Sequence, residues 1–201
     1  MLSVVIPTHN HAHALIPTLQ MLVPAALEGV VRQVIVADAG STDRTHAVAE
    51  EAGCDIVEIG APLGRRLRTA AARARAPWLM FLKPGAVLEP TWVVETKRFV
   101  DRMAAQGADG PAAVFRREIV VDEFRPALGR TLALAKALFA CKPTADQGLM
   151  IAKRLYDRLG GHSDSARHPE ADFIARLGRR RIVRLRSGAS IAGAELFDLV
   201  N

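Results

Sequence analysis

The strongest constraint on the fold lies in residues 31–45. Val34-Ile35-Val36 is a β-branched run, apolar on both faces. Such a run fits a strand buried on both sides in a parallel sheet. It stops at a carboxylate, Asp38, and a small turn follows, Ala39-Gly40-Ser41. Thr42 stands where it can cap a helix beginning near Asp43. A single acid at the carboxyl end of a buried strand occupies the place where open α/β sheets hold ligands.

The same alternation runs through the first 90 residues. Strands are predicted over 2–7, 31–37, 55–59 and 78–82. Helices are predicted over 16–27, from about 43, and over 67–75, with Pro17 suiting a first helical turn. Strands alternating with helices at this spacing mean crossover units and a parallel sheet. After 82 the pattern changes. Lys83-Pro84-Gly85 reads as a turn, and Pro90-Thr91 opens an amphipathic helix carrying Trp92, Val93, Phe99, Val100 and Met103. Then come a strand over 112–121, a mostly apolar helix over 125–140 and a short strand over 148–151. A helix over 153–159 closes at Gly160-Gly161, followed by a helix over 169–177 and a last strand over 182–185. The expected architecture is a single α/β domain, with a regular ligand-binding half over 1–90 and an irregular α+β half over 91–201. The 201 residues are half apolar, enough for a sizeable core.

Composition narrows the function. No apolar run is long and charge-free enough to span a bilayer. Met1-Leu2-Ser3-Val4 starts a strand rather than a leader, so a cytoplasmic setting is the expectation. Cys54 and Cys141 match no metal spacing, and Cys54 reads as a buried thiol. The formal net charge is +6, with arginines bunched at 65–75 and 179–186. That balance suits phosphate-bearing ligands or an anionic surface. Few aromatics and no recognition motif argue against nucleic acid. The chain has no Gly-X-Gly-X-X-Gly after the first strand, no Walker A and no Gly-X-Ser-X-Gly elbow.

Several groups read more simply as structure. His9, His11 and His13 alternate on a turn and face solvent rather than a metal. Asp43 is a helix N-terminal charge. Arg179-Arg180-Arg181 is a solvated turn, with an anionic membrane as the other reading. Residues 125–140 read as a core or dimer helix before a membrane anchor. The polar groups at the strand ends are Thr8, His9, Asn10, Asp38 and Lys83. A carboxylate and short polar groups there suit a base or ribose edge, and Gly64-Arg65-Arg66 can meet a diphosphate.

Two motifs carry a resemblance. Val4-Val5-Ile6-Pro7-Thr8-His9-Asn10, followed by Val36-Ala37-Asp38-Ala39-Gly40-Ser41-Thr42-Asp43-Arg44-Thr45, resembles the nucleotide-binding half of family 2 glycosyltransferases of the GT-A fold. The likeness continues through residues 63–76, Phe81-Leu82 and Leu88-Glu89-Pro90. It reaches Asp146-Gln147-Gly148-Leu149-Met150, residues 155–161, and Glu170-Ala171-Asp172. The resemblance implies a GT-A-like, Rossmann-like sheet flanked by helices. It also implies transfer of a sugar from a nucleotide-diphosphate sugar to an acceptor, with inversion. By the same likeness Pro7, Thr8 and Asn10 border the nucleoside, Asp38 faces base or ribose, and Arg65 and Lys83 lie near the donor. Glu170 is the candidate base, Asp172 its reserve, and Asp146 an acceptor-site candidate.

The departures set the alternatives. The family's second acid is Ala39 here. Its metal-binding acidic motif is replaced by Lys83-Pro84-Gly85. Mn²⁺ and Mg²⁺ want oxygen ligands, which a lysine does not supply. The acidic pair before the last long helix reads Pro169-Glu170. One reading is thus an inverting transferase independent of metal, its acceptor lipid-linked or otherwise, peripheral at a membrane or dimeric. The other is a catalytically inactive nucleotide-binding or interaction module on the same fold.

Overall fold

The computed structural model describes residues 1–106, 110–117 and 147–191. The front half holds β1 (Leu2–Thr8), α1 (Ala12–Leu27), β2 (Val31–Asp38), α2 (Thr45–Glu51), β3 (Asp55–Glu58), α3 (Leu63–Ala72) and β4 (Trp78–Phe81). The remainder holds β5 (Ala86–Leu88), α4 (Trp92–Ala105), β6 (Ala112–Arg117), β7 (Leu149–Ala152), α5 (Lys153–Arg158), α6 (Pro169–Leu177) and β8 (Ile182–Ile191). All strands join one eight-stranded sheet in the order β3-β2-β1-β4-β7-β6-β8-β5.

β1 lies between β2 and β4 and is parallel to both. Leu2, Val4, Val5, Ile6, Ile35 and Val36 are fully buried, so both faces of these strands are covered. This is the arrangement that the β-branched runs require. Thr8 registers against Asp38, which brings both strand ends to one edge. β7 then runs antiparallel to β4, and β6, β8 and β5 extend the sheet beyond it. One apolar cluster runs from Leu2 and Ile35 to Phe115, Met150 and Phe173. The irregular half therefore shares the core of the regular half.

Element ends moved where tertiary contacts supplied the caps. α1 starts at Ala12, four residues ahead of the expected 16, and Pro17 lies inside it. Its first turn is held from outside: Ala12 N–H donates to Asp43 Oδ2 at 3.1 Å and His11 N–H to Thr45 Oγ1 at 3.0 Å. α2 starts at Thr45, not Asp43, with Arg44 at its N-cap, and the Asp43 side chain accepts the Thr45 N–H at 2.9 Å. α3 starts at Leu63 rather than 67. There Gly64 is required by close packing, because a Cβ on it would lie 1.9 Å from the Ser163 carbonyl oxygen. β8 runs to Ile191 where a strand ending at 185 was expected. β5 was not anticipated; it pairs with β8 rather than with β4, its predecessor in the chain. Cys54 is only half-buried, and burial, with Asp55 beside it, pushes its thiol up to about 11. The expected helix over 125–140, the strand end at 118–121, Cys141 and Asp146 lie outside the described residues.

Candidate active site at the strand ends

The carboxyl ends of β1 and β2 are tied together by one carboxylate. Asp38 is fully buried. It accepts five hydrogen bonds: Thr8 Oγ1 at 2.6 Å, Ser41 Oγ at 2.6 Å, Gly40 N–H at 2.8 Å, Ser41 N–H at 2.6 Å and His46 Nε2 at 2.9 Å. A carboxylate offers about four lone-pair sites, so its capacity is taken up. Burial pushes its pKa up, but the bonds from Ser41, Thr8 and His46 outweigh burial and hold it well below the usual range. Asp38 thus shapes the turn that follows it.

Asn10 does the same work from β1. It is the one non-glycine among the described residues with a left-handed backbone, φ 57°, a conformation asparagine tolerates. Its Oδ1 accepts the Thr42 N–H at 2.8 Å and the Asp43 N–H at 3.3 Å, while its own N–H donates to Ser41 Oγ at 2.8 Å. Thr8 is buried and gives its hydroxyl to Asp38. Pro7 is half-buried at the end of β1. Three of the residues expected at a nucleoside therefore hold the two loops against each other.

Arg66 completes the frame, and sequence reasoning gave the place beside the donor to its neighbour, Arg65. Arg66 Nη1 donates to the Thr8 carbonyl at 2.9 Å and the Ala37 carbonyl at 3.0 Å. Burial lowers its pKa, and the charge on Asp38 opposes that shift. Its Nε is buried with no hydrogen-bond partner in the structure. Arg65 points elsewhere: it and Arg68 both donate to Asp164 Oδ2, at 3.1 and 2.8 Å. Helical spacing carried the available signal, because residues 65 and 68 share a face of α3 that 66 does not.

The next strand end brings the two halves together. Lys83 follows β4, and its Nζ lies 3.9 Å from Glu170 Oε2 in the first turn of α6. Asp172 sits two residues on and faces away, its Oδ2 accepting from Arg176 Nε at 2.8 Å. Arg176 also donates to the Leu159 and Gly161 carbonyls, both at 2.6 Å. Behind α6, Phe81, Tyr156, His162 and Phe173 pack ring against ring. Tyr156 Oη lies 2.8 Å from His162 Nδ1, and burial pushes His162 down to about 3, so it is neutral.

A divalent cation does not fit the donor set at β4. The position holds an ammonium, and the acid beside it, Glu170, already faces that ammonium. Among the described residues no three His, Cys, Asp or Glu side chains gather as a metal group, His9, His11 and His13 included.

His46 makes the frame sensitive to pH. Its bond to Asp38 raises its pKa above the ordinary 6.5, against the effect of burial. A group raised on folding adds stability that is complete below its unfolded value and lost as pH rises through its folded value. The expected result is a melting temperature in which wild type exceeds His46→Gln near pH 6 and the gap closes toward pH 9. A gap independent of pH would show that the ion pair contributes nothing.

Comparison with known proteins places the chain in a family and a fold. The sequence model of one family, Glycosyl transferase family 2, matches residues 3–184. No curated protein matches the chain in sequence. Among solved structures, Mycobacterium tuberculosis glucosyl-3-phosphoglycerate synthase is similar in fold, with TM-score 0.67 at 18% identity over 99% of this chain and 74% of that one. That protein was crystallised with Mn²⁺, uridine diphosphate and glucosyl-3-phosphoglycerate. S. aureus TarS, residues 1–349, superposes with TM-score 0.71 at 15% identity, over 98% of this chain and 61% of its own. At these identities the likeness is one of fold. The family match extends over nearly the whole chain and takes in the strand-end frame, Lys83 and Glu170, so the chain belongs to glycosyl transferase family 2.

Proposed function

We propose that this chain moves a glycosyl group from a nucleoside-diphosphate sugar to an acceptor hydroxyl, with inversion at the anomeric carbon. The observation that carries the reading is the meeting of Lys83 and Glu170, 3.9 Å apart, where β4 ends beside β1. Loops 7–10 and 40–42 form the bed for the nucleoside, their shape held by Thr8, Asn10 and Asp38. Glu170 accepts the proton of the acceptor hydroxyl as its oxygen bonds to the anomeric carbon. The bond from that carbon to the diphosphate breaks, and its electron pair leaves with the diphosphate. Lys83 faces the growing negative charge, and Arg66, held on the Thr8 and Ala37 carbonyls, adds a second positive charge at the strand ends. Substrate parts the resting ion pair, the hydroxyl taking Glu170 and the diphosphate taking Lys83. Neighbours of known structure bound to uridine nucleotides support the donor class.

The ammonium at the end of β4 supports a transfer that proceeds without Mn²⁺ or Mg²⁺. Nucleoside diphosphate affinity, measured by calorimetry, is expected to be unchanged by Mn²⁺ or a chelator. It is expected to fall about tenfold in Lys83→Ala, the loss of one charge-assisted contact. Affinity that requires Mn²⁺, or is unaltered in Lys83→Ala, would remove Lys83 from the site. The resting pair itself favours a second reading, a nucleotide-binding module without turnover, since base and cation there satisfy each other. Nucleotide binding with no turnover of any nucleotide sugar would select it.

A further inference from the structure

We propose that the turn after α6 and the start of β8 form a docking surface for an anionic lipid bilayer. Residues 178–191 contain five arginines, 179, 180, 181, 184 and 186, and no acid. Gly178, at φ 80°, ends α6 and turns the chain into the short 3-10 segment Arg179–Arg181, in which no residue is buried. Arg186 is likewise exposed, and Val183 between them is 40% exposed.

Two acids beside β8 spend their carboxylates chiefly on its backbone. Glu95 spends its carboxylate on the Arg186 and Ser187 N–H groups, each at 2.7 Å, and on the Ser187 hydroxyl. Glu89 takes the Gly188 N–H at 2.7 Å and Arg116 Nη2 at 3.1 Å. Arg184 and Arg186, two apart in β8, project from one face of the strand and follow directly on the exposed Arg179–Arg181 turn, while Val183 lies on the other face. That density of exposed positive charge is complementary to a headgroup layer carrying negative charge. Nucleic acid fits less well, since the stretch has no aromatic side chain on which a base can stack. Among the described residues no helix is long and apolar enough to cross a membrane. α6 is nine residues long, about 14 Å, which sets the bilayer one short helix from Glu170.

Vesicle binding needs neither donor nor acceptor, so the test is separate from the proposed transfer. The full chain is sedimented with phosphatidylcholine vesicles, alone or with about a third phosphatidylglycerol. Binding is expected only with the anionic lipid and is expected to be lost in about 1 M salt, where screening reaches about 3 Å. Each arginine removed should lower the partition coefficient about fivefold, so R179S/R180S/R181S should lose about a hundredfold. The charge-matched R32S/R73S/R75S, at the β2–β3 side of the sheet, should bind as wild type does. Equal loss in both triple variants, no loss in the first, equal binding to neutral vesicles, or tighter retention by an oligonucleotide would each overturn the proposal.

Discussion

Glu170→Gln is expected to lower turnover about a hundredfold or more while donor affinity stays within about twofold. Glutamine keeps the size and the acceptor oxygen of the side chain but takes no proton at neutral pH. Glu170 lies in the first turn of α6, beside the sheet end rather than in its frame, so the substitution leaves the fold in place. Asp172 is expected not to replace it, because Arg176 holds it at 2.8 Å on another face of the helix. Steady-state turnover, with donor affinity measured separately by calorimetry, distinguishes this from a structural role. Full activity in Glu170→Gln would move the base elsewhere, and a matched fall in affinity would make Glu170 a binding residue.

Asp38→Asn is expected to unfold the strand-end frame, at a cost of about 3–5 kcal/mol. The buried carboxylate takes only acceptor positions, from two hydroxyls, two backbone N–H groups and His46. An amide can turn its N–H₂ only toward the Thr8 and Ser41 hydroxyls, whose own O–H groups then lose their acceptor, and it gives up the charge that strengthens the other three bonds. In a chain of this size the loss corresponds to a fall in melting temperature of about 6–20 °C. The effect on nucleotide binding is then indirect, through loops 7–10 and 40–42. A melting temperature equal to that of wild type, with nucleotide affinity reduced tenfold, would return Asp38 to a direct contact with base or ribose.

The wild-type contribution also follows from the sign of the shift. A carboxyl lowered on folding adds stability above its unfolded value, about 4, and loses it as pH falls through the folded value. Acid melting below about pH 4 should therefore be steeper in wild type than in Asp38→Asn.

The parallel front sheet was readable along the chain because local chemistry reports it. Val34-Ile35-Val36 and Val4-Val5-Ile6 are apolar on both faces, and that pattern has few solutions other than a strand covered on both sides. The sugar-transfer reading came from two short motifs at the ends of those strands, and the family match agrees with it. Lys83 at the metal position and Glu170 in an acidic helix were each visible as residue types. Their distance was not visible, since 87 positions separate 83 from 170 and a pairing that long depends on β7 docking against β4.

Long-range caps and packing settled the rest. Asp43 caps a helix that starts 31 residues before it, so no local rule places the start of α1 at Ala12. Asp38 looks like a ligand contact in one dimension. Folding gives its oxygens to Thr8 and His46, from the adjacent strand and the next helix, and takes it out of solvent. β5 and most of β8 lack an alternation that stands out, and they form strands because each supplies the other's missing edge. Arg65 and Arg66 are chemically alike and adjacent. Helix phase alone sends one to Asp164 and the other to the carbonyls where β1 and β2 end. Residue type is written along the chain, but the direction a side chain faces is set by which elements pack together.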